Sequence, residues 1–116
     1  MIYNERILME SDSDATLVAT LSVGKNILDE TVICLAVSDY GRAGKHVPTR
    51  RTMAVIDGYE MKQLASRWNI EPSGIGNFIA NKFEDNGYIS RVGYVRNTFQ
   101  RILNYILDNG GRYQIK

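Results

Sequence analysis

The sequence has little of what most enzymes and secreted proteins depend on. Its single cysteine, Cys34, lies within an apolar run and cannot close an internal disulfide. There is one histidine, His46, with no second ligand or acidic residue near it in sequence, so neither metal spacing nor a nucleophile–histidine set is present. No glycine-rich loop is arranged to cradle a phosphate. Asp57 and Glu60 are close in sequence, but carboxylates at the start of a helix more often serve as caps than as an acid–base pair. No apolar run approaches the roughly 18–20 residues that cross a bilayer, and the polar N-terminus lacks a signal-peptide pattern. These absences predict a cytoplasmic protein with no catalytic residues, no metal and no cofactor.

What is present is ordinary in amount and uneven in distribution. A chain of 116 residues, 44% hydrophobic and 23% charged, suits one globular domain with a real core. The net charge of +1 conceals two opposed halves. Residues 1–40 hold two cations, Arg6 and Lys25, against seven carboxylates, whereas residues 41–116 hold twelve Lys/Arg against six Asp/Glu. A basic half suits phosphate neutralisation. It suits equally well two halves that attract each other, or an acidic half that meets a partner.

The first half reads as sheet. Ile2–Met9 suits a short strand or an arm, and Ser11–Asp14 (SDSD) a turn. From Thr16 to Val23 the chain alternates, with Leu17, Ala19, Leu21 and Val23 on one face, as in a half-buried strand. Gly24-Lys25-Asn26 suits the next turn. Thr31–Val37 (TVICLAV) is apolar on both faces and β-branched, which favours a central strand. Thr52–Ile56 reads as a third strand of this group. Between them, 39–49 (DYGRAGKHVPT) is a loop carrying Arg42, Lys45 and His46, with Arg50 and Arg51 just beyond. Such a loop can track a phosphate backbone. It can equally be a hairpin connection kept soluble by its charges, with His46 an ordinary surface histidine.

The second half reads as helix. Met61, Leu64, Ala65 and Trp68 share one helical face, and Asp57 suits the N-cap. Pro72 interrupts, because proline lacks a backbone N–H and disfavours helical geometry in the residue before it. Ser73 suits the cap of a second helix, in which Ile75, Phe78, Ile79 and Phe83 form the apolar face. This leaves Ser73, Gly74, Gly76, Asn77, Ala80, Asn81 and Lys82 outward. Asn86-Gly87 suits a C-cap, and Tyr88–Val92 with Gly93–Arg96 two short paired strands. A last helix is expected from Asn97 or Thr98, with Phe99, Ile102, Leu103 and Ile106 as its apolar stripe and Asn109-Gly110-Gly111 as its end. That stripe serves either to pack on the domain or to form a dimer.

Two short helices joined by a tight turn, with small Ala65 at their crossing and Asn69 where a left-handed backbone is wanted, make a helix-turn-helix pattern. LASRWNIEPSGIGNFI resembles the helix-turn-helix core of bacterial and phage DNA-binding regulators, with Ile70, Ile75 and Phe78 at its three buried positions. FEDNGYISR is similar to the end of a winged-helix recognition helix, where a glycine turn leads into the first wing strand. The resemblance covers residues 59–91, and the first fifty-odd residues fit no family.

The expected fold is α+β: an N-terminal antiparallel sheet of three or four strands over 1–56, then a helix-turn-helix and C-terminal helix over 57–116, together one compact domain. The resemblance implies double-stranded DNA as partner and a homodimer, with transcription regulation of bacterial, phage or plasmid type as the role. Asn77 is the best base reader because an amide pairs bidentately with adenine, followed by Asn81 and Ser73. Arg42, Lys45, Arg50, Arg51, Arg67, Lys82, Arg91 and Arg96 are candidates for phosphate contact. Against strong sequence specificity stand two outward glycines and no arginine on the reading face. One alternative is a protein-interaction or assembly module on a winged-helix-like fold. A second is a ribbon-helix-helix DNA binder in which Arg51 or Thr52 faces the bases.

Overall fold

The computed structural model describes residues 2–11, 17–39, 49–85 and 91–116. Five strands form one antiparallel sheet in which each pairs with its neighbour in sequence order: β1 (Tyr3–Glu10), β2 (Leu17–Lys25), β3 (Thr31–Asp39), β4 (Arg50–Ile56) and β5 (Gln114–Ile115). Three helices, α1 (Gly58–Trp68), α2 (Ile75–Phe83) and α3 (Val92–Asp108), are inserted between β4 and β5. The α+β class holds, with more strands than the three or four expected. No helix among the described residues is long and apolar enough to cross a membrane.

The alternation of β2 sets the layers. Ala19, Leu21 and Val23 are buried, and their register partners Val37, Leu35 and Ile33 place β3 on the same face. Ala54 and Ile56 of β4 continue it opposite Ile33 and Thr31. Onto this face pack α3, through Val92, Val95, Phe99, Ile102, Leu103 and Ile106, and α2, through Ile75, Ile79 and Ala80. Met61, Leu64 and Ala65 of α1 complete the core.

The β2–β3 turn lies later than Gly24-Lys25-Asn26. The strand runs on to Lys25, and Asn26 organises the turn: its Oδ1 accepts from the N–H groups of Leu28 and Glu30, both at 3.0 Å. Asp29 takes the left-handed conformation there, φ 62°, which aspartate tolerates better than most residues. The tip presents Ile27 and Leu28 to solvent at 83% and 73% exposure.

Asp57 caps α1, accepting from Glu60 N–H at 2.8 Å. Asn69 ends it in the left-handed conformation, φ 56°, while the N–H of Ile70 returns to the Ala65 carbonyl at 3.0 Å. Pro72–Gly74 form one 3₁₀ turn leading into α2. Ser73 therefore lies inside that turn, and Gly74 takes the N-cap position without a side-chain bond.

The paired strands expected over 88–96 are corrected. Val92–Arg96 form the start of α3, because Val92 and Val95 continue the stripe of Phe99 and Ile102 at helical spacing and are buried with it. Asn86-Gly87 and residues 88–90 lie outside the described residues. The last helix thus begins five residues earlier than Asn97, and it ends as expected, with Gly110 at φ 82°.

Candidate nucleic-acid interface

Asn77 and Asn81 are exposed one turn apart on α2, and exposed Ser73 lies in the 3₁₀ turn just before it. Gly76 and Ala80, expected to face outward beside them, face the sheet instead. Ala80 is buried, and a Cβ built on Gly76 would lie 3.1 Å from Val23 Cγ1. The glycine lets α2 approach β2 closely. Ser73 and Asn77 also line a pocket of about 220 Å³ between the start of α2 and the β2–β3 end of the sheet. Its other walls include Asn4, Arg6, Lys25 and Thr31.

The cations divide among several places. Arg67 lies in the last turn of α1, with its Nε 3.4 Å from Asn109 Oδ1. Lys82 projects from α2 with Nζ 4.8 Å from the centre of the Tyr105 ring. Arg91 holds the N-cap position of α3, on no wing. Arg50 and Arg51 diverge to opposite faces of the sheet, as alternation along a strand requires. Arg50 joins Arg96 on a cleft of about 420 Å³ beside Leu35 and Val37, whereas Arg51 lines a trough of about 620 Å³ over Thr20, Ser22, Cys34 and Ala36. Arg42, Lys45 and His46 lie outside the described residues.

One ion pair joins the two halves and another lies within the first. Among the described residues there are two ion pairs, Arg6–Glu84 and Lys25–Asp29, and they use both cations of the first forty residues. Leaving Asp39 aside, the ten described cations of residues 49–116 form no ion pair with a described carboxylate.

Two expectations are corrected by the packing. Phe99, Ile102, Leu103 and Ile106 are no more than 6% exposed in the chain's own core, so they have almost no surface to offer a second copy. The ribbon arrangement also fails locally. β4 pairs with β3 along its whole length and with β5 at Ala54 and Val55, so Arg51 and Thr52 belong to the chain's own five-stranded sheet and not to a separate two-stranded ribbon.

Some of the surroundings were not readable from the sequence. Trp68 stacks on Phe78 with ring centres 4.4 Å apart and on Tyr105 at 5.6 Å, while Phe83 meets Tyr105 edge-on. Trp68 Nε1 donates to Asn109 Oδ1 at 3.1 Å. Lys82 and Arg101 lie over this aromatic group. Arg6 and Lys25, from the acidic half, reach the pocket beside Asn77, and no spacing in the sequence announces that meeting.

Burial pushes the Cys34 thiol above its ordinary value; the charge of Arg51 works against this and that of Glu5 adds to it. A thiol held protonated in this way is a poor nucleophile or metal ligand. Compared with known proteins, the chain matches no family model, no curated protein and no solved structure.

Proposed function

We propose that this chain is a small DNA-binding regulator of bacterial or phage type, that α1 and α2 act as a helix-turn-helix, and that it works as a homodimer on duplex DNA. The observation that carries the proposal is the set of described cations on the basic half that, Asp39 aside, pair with no described carboxylate. Cations not engaged inside the protein remain available to phosphates, which supply most of the affinity for DNA. The separation of α1 and α2 at left-handed Asn69, with buried Ala65 beside the turn, supports the same reading. So does the exposed pair Asn77 and Asn81, whose amides suit adenine edges. With Val92–Arg96 in α3, the motif is read without a wing built from that segment. With Phe99 and its neighbours buried, the dimer is assigned to another surface.

The test is duplex binding in a salt titration. Affinity is expected to fall steeply with salt and to retain a sequence-dependent increment. Absence of binding at low salt overturns the proposal. One observation favours a protein partner in that case: the β2–β3 turn, organised by hydrogen bonds of Asn26 with Leu28, Asp29 and Glu30, displays Ile27 and Leu28 at its tip. A pull-down lost on Ile27→Asp would then support an assembly role.

A further inference from the structure

We infer that the pocket between the start of α2 and the β2–β3 end of the sheet binds an oxyanion of the phosphate class. Two independent features meet there. The first is the helix terminus. α2 has no side-chain N-cap and no carboxylate in its first turn, and Gly76 and Asn77 of that turn line the pocket. The Ile75 N–H is taken by the Pro72 carbonyl of the preceding 3₁₀ turn, while no side chain caps the amides of Gly76 and Asn77 that follow. The second is Thr31 on the pocket wall, only 1% exposed. Among the described residues, its Oγ1 is the one buried side-chain polar atom without a hydrogen-bond partner. Buried hydroxyls are seldom left without a partner, and an oxyanion bound in the pocket would supply one.

Charge and shape agree with an anion. Arg6 and Lys25 line the pocket, while their carboxylate partners, Glu84 and Asp29, do not. The Lys25–Asp29 pair spans 3.4 Å with the Asp29 side chain 80% exposed. Such a surface pair is weak, and Lys25 can exchange it for a better-placed anion. Gly76 brings the helix amides up to the sheet where a side chain would press on Val23. At about 220 Å³ the space suits one phosphoryl group and not a whole drug-sized ligand. The anion's carrier is either a free small molecule or a nucleic-acid backbone. The site does not depend on the duplex reading, since an oxyanion can bind here with no DNA present.

The experiment is a titration of the ¹⁵N-labelled full chain with inorganic phosphate, at ionic strength held constant with chloride. Saturable shifts of the Gly76, Asn77 and Thr31 amides are expected. Lys25→Gln and Thr31→Val are each expected to weaken phosphate binding roughly tenfold. Thr31→Val also removes the unpartnered hydroxyl, so its melting temperature should hold or rise, and its loss of binding cannot come from unfolding. Equal shifts with chloride alone, or phosphate binding unchanged in both variants, overturn the inference. A duplex competition then identifies the carrier. If saturating phosphate displaces duplex, and both variants weaken duplex binding, the anion belongs to a nucleic-acid backbone. If duplex binding is indifferent to phosphate or absent, the anion belongs to a small molecule. Either result leaves the pocket an oxyanion site.

Discussion

Gly76 of α2 stands against Val23 of β2 so closely that an added Cβ would lie 3.1 Å from Val23 Cγ1. Two residues earlier, Gly74 has its nearest neighbour, Ile70 Cδ1, at 3.9 Å from the same construction, and its φ of −90° is open to any residue. The two glycines should therefore respond oppositely to alanine. Gly74→Ala should stabilise by about 0.4–1 kcal/mol through the unfolded chain. Gly76→Ala gains about 1 kcal/mol of helix propensity. It also overpacks a buried β-branched neighbour at about 1–3 kcal/mol, so a net loss is expected. Urea denaturation of the two variants side by side checks the contrast.

The Asp57 cap is a local feature with a clean control. Asp57→Ala should cost about 1 kcal/mol, and Asp57→Asn, which caps about as well, should recover most of it. Equal losses in the two variants would mean that something other than the bond to Glu60 N–H is being removed.

Exposed side chains divide the proposed DNA contacts by kind. Asn81→Ala and Asn77→Ala should leave the fold nearly intact and cost about 1–3 kcal/mol each for a cognate site, with little effect on random duplex. Arg91→Ala should weaken all sequences alike and lower the salt slope by about one charge. Fluorescence anisotropy with cognate and random duplex at several salt concentrations separates the two patterns. If Asn77→Ala weakens both duplexes equally, Asn77 is not reading sequence.

Cys34 gives a pH prediction with a definite sign. Its thiol is raised mainly by burial, so alkylation should have its midpoint above that of a free thiol, and Arg51→Ala should move the midpoint further up. A group whose pKa is raised on folding contributes stability that is complete below the unfolded thiol's pKa. That contribution is lost as pH rises through the folded value. Cys34→Ala should remove this component of alkaline destabilisation in pH-dependent thermal melts.

The legible parts of the fold were those with local causes. Alternation over Leu17–Val23 fixed a face, Pro72 broke the helical run, and Asn69 marked the left-handed turn. The start of α3 was misread because Val92, Gly93, Tyr94 and Val95 have strand-like composition; burial against the sheet overrode propensity. The longer signal was Val92 and Val95 in step with Phe99 and Ile102. β5 was invisible because two residues carry no periodicity and their partners lie sixty residues away. The candidate site is legible along α2, where spacing alone aligns Asn77 with Asn81. The approach of Arg6, Lys25 and Thr31 depends on tertiary packing, which spacing does not encode.

The short C-terminal strand has a consequence for solubility. Residues 114–116 lie along β4 at Met53–Val55, and Lys116 and Met53 exchange backbone hydrogen bonds at 2.9 and 3.3 Å. Beyond them that margin of β4 continues as Arg50 and Arg51, whose charges discourage any further strand from adding. Removing 114–116 would bare Met53-Ala54-Val55, an apolar and β-prone run, with unpaired backbone groups. Strands of other molecules can dock on such a margin, so the truncated protein should aggregate with concentration, as light scattering would register, while the intact chain stays dispersed. Three residues that add almost nothing to the core would then act chiefly as a gatekeeper against intermolecular sheet growth.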